Sequence, residues 1–219
     1  MYRLYSKEKP GDTSIGNRDI LPGYIAFEGL DGAGTTTQLR NLYEALRRHG
    51  HEVVASKEPT DFATGRVIRS YLSGAEQIPP AGMALLFAAD RLEHRARLIE
   101  PAVARKEMVI ADRCVVSSLA YQGVESGRDF VESANSNCAW PEYLIYLDVP
   151  VETCLRRLEG RAAREIYEKE HVLIAVKQRY EEILSELDGE AGMEVVRIDG
   201  TQDQRVIATL ITSVLLPKI

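Results

Sequence analysis

The 219-residue sequence is poor in cysteine and contains no pair of cysteines spaced as CxxC. Its three cysteines, Cys114, Cys138 and Cys154, are far apart and odd in number, which argues against a disulfide framework or a zinc site. Residues 1–19 lack the apolar stretch of a signal peptide. The most hydrophobic late segment, residues 206–216, is too short to span a membrane. These absences predict a cytoplasmic protein that has no membrane partner.

The sequence also lacks an excess of positive charge. It has 27 Lys+Arg against 33 Asp+Glu, a formal net charge of -6 at pH 7. Because proteins that bind the nucleic-acid backbone need a basic surface, nucleic acid is not an expected partner. An anionic ligand must therefore meet a local group of basic side chains. Hydrophobic residues make up 45% of the chain, which is enough for a globular core.

Short apolar runs alternate with helix-favouring segments after a leader, residues 1–19, that we expect to be flexible. The runs predict five strands, at residues 24–27, 52–56, 108–111, 143–147 and 194–198. Helices are predicted at residues 36–49, 64–72, 80–104, 151–158, 169–187 and 202–215. This alternation predicts one α/β domain over residues 20–219, with a doubly wound, five-stranded parallel sheet flanked by helices.

A glycine-rich segment joins the first predicted strand to the first predicted helix. It reads Gly29-Leu30-Asp31-Gly32-Ala33-Gly34-Thr35-Thr36 and fits the phosphate-loop pattern GxxxxGK[ST] except that Thr35 replaces the lysine. Glycines allow successive N–H groups to face an anion, and the helix N-terminus favours negative charge. A tight turn without a ligand is the alternative, but the flanking strand and helix favour phosphate binding. Thr36 would then place its hydroxyl on Mg²⁺.

Four segments resemble the thymidylate kinase family, in the order in which the family has them. Residues 27–38, FEGLDGAGTTTQ, resemble the family's FEGxDGAGKxTQ, and residues 57–60, KEPT, resemble its REP[GT] segment. Residues 86–91, LFAADR, and residues 112–123, DRCVVSSLAYQG, resemble its LLFAADR and DRYxxSSxAYQG segments. The similarity extends over about residues 24–215.

The resemblance implies a P-loop kinase fold with a short lid at about residues 160–168. It also implies transfer of the γ-phosphoryl group of ATP to dTMP, giving dTDP and ADP, with Mg²⁺ and in a homodimer. Two alternatives stay open at this point. The chain could be a kinase for another nucleoside monophosphate, or a catalytically weak nucleotide-binding protein because Thr35 replaces the lysine.

An acid and a base, Asp112 and Arg113, follow the third predicted strand at the sheet edge where α/β proteins place ligands. On their own they could form a surface ion pair, or they could hold a metal-bound water and a phosphoryl oxygen. The resemblance implies that Arg113 contacts the acceptor phosphate and that Asp112 reaches the magnesium through water. Lys57 replaces a family arginine and would also meet the acceptor phosphate.

Phe87 and Arg91 lie four residues apart and therefore on one face of a predicted helix. The residues alone favour a packing role for Phe87. The resemblance implies instead that Phe87 stacks on the acceptor's base and that Arg91 reaches the carbonyl edge of that base. It also places four residues at the base and sugar, namely Ser117, Ser118, Tyr121 and Gln122.

Three further roles follow from the resemblance. Asp31 would accept a hydrogen bond from the sugar 3′-hydroxyl of the acceptor. Because Gly32 stands where some family members have an arginine, the catalytic arginines are expected in the lid, at Arg161 and Arg164. The same two side chains are expected to replace the charge that Thr35 does not supply.

Overall fold

The structure, a computed structural model, describes residues 18–159 and 167–219. Its strands are β1 (Asp19–Gly29), β2 (Val53–Lys57), β3 (Met108–Asp112), β4 (Ala139–Asp148) and β5 (Glu194–Asp199). Its helices are α1 (Thr35–Arg48), α2 (Ala63–Leu72), α3 (Pro80–His94), α4 (Glu100–Ala104), α5 (Val115–Ser126), α6 (Arg128–Ala134), α7 (Val151–Leu158), α8 (Glu170–Leu187) and α9 (Gln204–Leu215). Within these described residues, no helix is both long and apolar enough to cross a membrane.

The described strands form one sheet in the order β2-β3-β1-β4-β5, and every neighbouring pair is parallel. The predicted five-stranded parallel sheet is therefore confirmed. The central strands β1 and β3 are buried on both faces, as residues 25–27 and 109–111 are 0% exposed. Their register pairs Phe27 with Asp112, and Asp112 with Lys57 on β2, so the ends of three strands meet at one edge.

β1 begins five residues before the predicted start, because its first part pairs with β4 alone. Residues 19–21 align with residues 139–141 of β4, whereas the pairing with β3 starts only at Tyr24. The ladder is irregular between Leu21 and Ile25, where Pro22 and Gly23 interrupt the apolar pattern. Asp19, which we expected in the leader, therefore lies in the sheet, and its carboxylate pairs with Arg95.

The helical segments follow the predictions with two differences. The predicted helix at residues 80–104 is continuous, but its middle turn, Arg95–Ile99, has π-helical hydrogen bonding. After α5 the chain turns at Gly127, which has a φ of 81°, and forms α6, which the sequence did not predict. Because α3 and α5 pack against each other, the segments with the predicted base-binding residues lie side by side.

Candidate active site

The glycine-rich segment connects the end of β1 at Gly29 to the start of α1 at Thr35. Gly32 and Gly34 have φ angles of 86° and 102°, in the left-handed region that favours glycine. A Cβ at Gly32 would also lie 2.7 Å from the carbonyl oxygen of Cys154. The first turn of α1 contains no acidic residue, so no carboxylate of the helix itself competes for the positive end of its dipole, which faces the loop. The turn has the form of a phosphate-binding loop.

Asp112 is held beside the start of α1. The hydroxyl of Thr36 donates a hydrogen bond to Oδ2 of Asp112, and Oδ1 of the same carboxylate is buried without a partner in the described residues. A carboxylate with a free oxygen next to a threonine hydroxyl is a set of hard donors that suits Mg²⁺. The two residues predicted to serve the metal therefore lie together, and their chemistry fits the ion.

Arg113 does not form an ion pair with its neighbour Asp112, so the alternative of a surface ion pair between these two residues was wrong. Its Nη2 lies 2.6 Å from Oδ1 of Asp31, and its Nη1 lies 3.6 Å from the carboxylate of Glu28. Nη1 also donates to the carbonyl oxygen of Gly29 and to the hydroxyl of Tyr180. Burial lowers the pKa of Arg113, but the surrounding phenols and carboxylates outweigh it and keep that pKa well above its usual value.

Glu28 organises the base of the site and was not identified from the sequence. Its side chain is 0% exposed. The carboxylate accepts hydrogen bonds from the backbone N–H groups of Cys114 and Ser117 at 2.9 and 3.0 Å and from the hydroxyls of Ser117 and Tyr180 at 2.6 and 2.7 Å. Four donors therefore fix one buried carboxylate, which in turn fixes the start of α5 directly after Arg113.

A cavity of about 430 Å³ lies above this edge of the sheet. Most of the predicted site residues line it, from the glycine loop, the strand ends, α3 and α5: Asp31, Gly32, Gly34, Thr35, Thr36, Lys57, Phe87, Arg91, Asp112, Arg113, Ser117, Ser118, Tyr121 and Gln122. The side chains of Leu30 and Ala33 instead pack in the core. Arg161 and Arg164 lie outside the described residues.

Arg91 is 3% exposed and nearly saturated with hydrogen bonds. Its Nε donates to Oε2 of Glu58 at 2.8 Å. Its Nη1 donates to Ser118 and Asn135, and its Nη2 donates to the carbonyl oxygen of Cys114 at 3.2 Å. A guanidinium has five N–H groups, so one N–H, on Nη2, has no partner among the described residues, and Arg91 lines the cavity.

Phe87 and Tyr121 both form part of the cavity wall. Phe87 packs against the core and also lines the cavity, so both the packing and the stacking interpretation fit its position. The hydroxyl of Tyr121 accepts a hydrogen bond from the backbone N–H of Asp31 at 3.1 Å, and its ring lies 5.4 Å from the Arg113 guanidinium. Burial raises the pKa of Tyr121 well above its ordinary value, so the phenol is neutral.

Three further cations line the cavity. Lys57 is half exposed, with its Nζ 3.8 Å from Asp61. Arg69, which the sequence did not single out, pairs with Asp61 at 2.8 Å and donates to the carbonyl oxygen of Pro59. Arg157 donates to the carbonyl oxygens of Ala33 and Gly200 at 3.1 and 3.0 Å, so a positive charge rests on the loop that lacks a lysine.

Comparison with known proteins identifies the family of the chain. The family model "Thymidylate kinase" matches residues 27–209. The chain is 41% identical to an Aeropyrum pernix protein named as a thymidylate kinase, over 81% of this chain and 86% of that protein. Proteins of the same name from Methanococcus aeolicus and Treponema pallidum are 34% and 35% identical, over 90% and 86% of this chain and 97% and 92% of those proteins. The chain belongs to the thymidylate kinase family.

Proposed function

We propose that this protein transfers the γ-phosphoryl group of ATP to dTMP, giving dTDP and ADP. The observation that carries the proposal is the single cavity in which the phosphate loop faces Arg113, Lys57 and Arg91. One end of this cavity is suited to donor phosphates, and the basic wall is suited to a nucleoside monophosphate. Membership of the thymidylate kinase family favours dTMP over another acceptor.

In the proposed reaction the chain mainly positions and neutralises charged groups. The loop N–H groups and Thr36 hold the donor phosphates, while Lys57 and Arg113 neutralise the acceptor phosphate. An oxygen of that phosphate attacks the γ-phosphorus, and the bond from the γ-phosphorus to the β–γ bridging oxygen breaks, leaving ADP. Arg161 and Arg164 are proposed to stabilise the charge that develops between donor and acceptor.

Recognition of thymine rests on the one free N–H of Arg91. A thymine offers a carbonyl oxygen at position 4, whereas cytosine offers an amino group there. An N–H facing an amino group leaves two donors opposed, so the site would favour thymine over cytosine. We propose that Phe87 stacks on the ring, with Ser117 or Ser118 and Gln122 at its edge.

The sugar is proposed to lie between Asp31 and Tyr121. The Asp31 carboxylate would accept a hydrogen bond from the 3′-hydroxyl in addition to pairing with Arg113. Tyr121, fixed by the Asp31 backbone and by edge contacts with Tyr167 and Tyr180, would leave little room for a ribose 2′-hydroxyl.

Mg²⁺ is proposed to accompany ATP, held by Thr36 directly and by Asp112 through water. When bound, the ion would neutralise phosphate charge. Two features of Asp112 support this assignment: its Oδ1 has no partner in the described residues, and its Oδ2 accepts a hydrogen bond from the Thr36 hydroxyl. ADP formation is expected to stop with excess EDTA and to return when Mg²⁺ is added.

The decisive test is ADP formation measured with dTMP, UMP and dCMP under identical conditions. We expect the highest kcat/KM with dTMP and a far lower value with UMP. A higher kcat/KM with a ribonucleotide would contradict the thymidylate assignment. Binding of ATP without turnover of any acceptor would favour the alternative of a nucleotide-binding protein.

A homodimer in the cytoplasm is also proposed. Val67 on α2, Leu85 on α3 and Phe130 on α6 are 44%, 53% and 39% exposed, and α3 packs against both α2 and α6. A second copy of the chain would cover such side chains. All three cysteines are free and buried, which suits a reducing compartment. Sedimentation of the wild type and of Leu85→Glu would test the dimer, because the charge should shift the protein towards monomer.

A further inference from the structure

A histidine outside the substrate cavity is joined to the base-reading arginine through one buried carboxylate. His94 is 0% exposed and lies on α3, one turn after Arg91. Its Nδ1 lies 3.0 Å from Oε1 of Glu58, and its Nε2 lies 2.9 Å from the hydroxyl of Ser56. His94 lines a neighbouring cavity of about 630 Å³, whereas Arg91 lines the substrate cavity. The two cavities share Thr36, Lys57 and Asp112 in their walls, and Glu58 connects His94 to Arg91 by hydrogen bonds.

The two oxygens of Glu58 have different partners. Oε2 accepts the Nε–H of Arg91 at 2.8 Å, and Oε1 faces His94. Burial raises the pKa of Glu58, but Arg91 and the hydrogen bond from His94 outweigh it, so the pKa lies below its ordinary value. Because the carboxylate has no proton to give, Nδ1 of His94 must be the donor. Nε2 of the same ring forms a hydrogen bond with the Ser56 hydroxyl.

The different partners of the two Glu58 oxygens matter because arginine and a carboxylate prefer to form two parallel hydrogen bonds. Glu58 makes only one bond to Arg91, since its other oxygen is engaged by His94. Without His94, the carboxylate could turn and take a second N–H of the guanidinium. The remaining acceptors around Arg91, on Ser118, Asn135 and Cys114, already use three of its N–H groups. The bond gained by Glu58 would therefore compete for the last free N–H.

We propose that His94 is a positioning residue for base recognition: by engaging one oxygen of Glu58, it keeps Arg91 singly bound to that carboxylate and leaves one guanidinium N–H for the carbonyl group of a pyrimidine base. The inference rests on the proposed function, because the base is that of the acceptor nucleotide. His94 itself touches neither substrate.

Other contacts from this part of α3 hold the segment that follows β2, residues 58–60. Asp90 accepts the backbone N–H of Thr60 at 2.8 Å and the Thr60 hydroxyl at 2.5 Å. Arg91 and His94 hold Glu58 between them. The segment thus remains anchored through Asp90 when His94 is changed, so the effect of a substitution at His94 should be confined to Glu58 and Arg91.

The experiment compares His94→Leu, which removes both hydrogen bonds, with His94→Asn, whose amide can replace the Nδ1 donor. Losing a hydrogen bond to a charged group is expected to raise the KM for dTMP about tenfold in His94→Leu, with kcat and the KM for ATP unchanged. Selectivity for dTMP over dCMP, measured as kcat/KM or as the inhibition constant of dCMP, should fall by about the same factor. His94→Asn should restore most of both values.

His49→Asn is the matched control. His49 lies at the exposed end of α1, where its Nδ1 bonds only the carbonyl oxygen of Ala45, so no kinetic change is expected. A His94→Leu protein with a lower Tm but unchanged KM for dTMP and unchanged selectivity would overturn the inference, because a purely structural role predicts that result. A wild type that does not turn over dTMP would contradict the proposed function instead.

A second variant keeps the test decisive if His94→Leu does not fold. Ser56→Ala removes the hydroxyl that holds Nε2, so the ring can turn away from Glu58. We expect the KM for dTMP to rise about threefold, the cost of one ordinary hydrogen bond, again without a change in the KM for ATP. An unchanged KM for dTMP would overturn the inference.

Discussion

At Arg113 the backbone adopts a conformation that its side chain disfavours. Its φ is 82°, which for a residue other than glycine costs on the order of 1–3 kcal/mol. The backbone N–H donates to the carbonyl oxygen of Phe27 at 2.9 Å, and the guanidinium reaches Asp31 and Tyr180. Strain held in place by such contacts is common where a side chain must be aimed at a ligand. Because the backbone at Arg113 is strained, substitutions there can separate an effect on folding from an effect on catalysis.

Arg113→Gly and Arg113→Ala should both lower kcat/KM for dTMP by about 10²-fold or more, because a charge on the acceptor phosphate is lost. Glycine accepts the left-handed backbone, so Arg113→Gly should be the more stable of the two variants. Kinetics and thermal melting check both statements, with Arg105→Ala as a control at an exposed pair with Glu107. Near-normal kinetics in folded Arg113→Gly would show that the guanidinium has no role in the reaction.

Thr35 leaves the phosphate loop without its usual lysine. Thr35 is 6% exposed, and Arg157 is one of the cations that contact the loop. Arg157 is engaged by the carbonyl oxygens of Ala33 and Gly200, which face it from the loop and from the end of β5. These contacts tie Arg157 to backbone carbonyl groups, and we still expect the missing charge to come from Arg161 or Arg164.

A double-mutant cycle tests this expectation. Arg161→Ala or Arg164→Ala should lower kcat at saturating ATP by about 10²- to 10³-fold, the typical cost of one preorganised charge, and Thr35→Lys should restore much of it. Arg157→Ala serves as the matched arginine control and should not be rescued by Thr35→Lys. If the lysine rescues neither Arg161→Ala nor Arg164→Ala, compensation by these residues is wrong.

Residues proposed to contact a ligand could be named from the sequence, whereas the residues that support those side chains could not. The predicted residues that line the cavity lie in segments whose residue types indicate a chemical role, such as Asp112 and Arg113 directly after a strand. Glu28 and Tyr180 were missed because nothing in a sequence distinguishes a carboxylate with four donors from an exposed one. Their hydrogen bond joins β1 to α8, two elements far apart in the chain. Only the fold brings them together.

At the scale of elements, apolar runs predicted which strands exist but not where they end. β1 begins before Pro22 and Gly23, because its first residues, 19–21, need only β4 as a partner. Ile20 and Leu21 pack against the core there, and Arg18 lies 4.9 Å from the ring of Trp140. The apolar run alone could not show this, since the pairing depends on the length of β4.

Two truncations distinguish the leader from the strand. Deleting residues 1–17 should leave the Tm nearly unchanged, because that segment has no apolar periodicity. Deleting residues 1–21 removes two aliphatic side chains and one end of β1, and we expect a loss of about 2–3 kcal/mol, or roughly 5–10 °C in Tm. Scanning calorimetry of both proteins checks the difference. Equal Tm values for the two truncations would show that the outer part of β1 contributes nothing.

At the scale of the molecule, the order of strands explains why one cavity collects residues from the whole chain. β1 lies in the middle of the sheet, with β3 on one side and β4 on the other, so the chain reverses its direction of winding there. Ligand sites of α/β proteins occur at such a point, beyond the carboxyl ends of the strands. The alternating pattern predicted a parallel sheet, but strand order depends on packing between distant segments and could not be predicted from it.

The buried charges at this edge also link the stability of the molecule to pH. Glu58 faces Arg91 and His94, with the phenol of Tyr24 nearby, and its folded-state pKa lies below its ordinary value. A lowered pKa means that the ionised carboxylate stabilises the folded state. That contribution is complete above the unfolded-state pKa of about 4.3 and is lost as the pH falls through the folded-state pKa.

Glu58→Gln should therefore be destabilised at pH 7 by about 3 kcal/mol, because Arg91 loses its buried counter-charge. The difference from the wild type should shrink as the pH is lowered below about 4.3, since acid removes the same charge from Glu58 in the wild type. Urea unfolding at several pH values measures both effects. Glu107→Gln is the control, because Glu107 pairs with Arg105 at the surface, and its free energy of unfolding should follow the wild type throughout. A difference between Glu58→Gln and the wild type that stays constant from pH 7 down to the acid transition would show that the charge of Glu58 does not stabilise the fold.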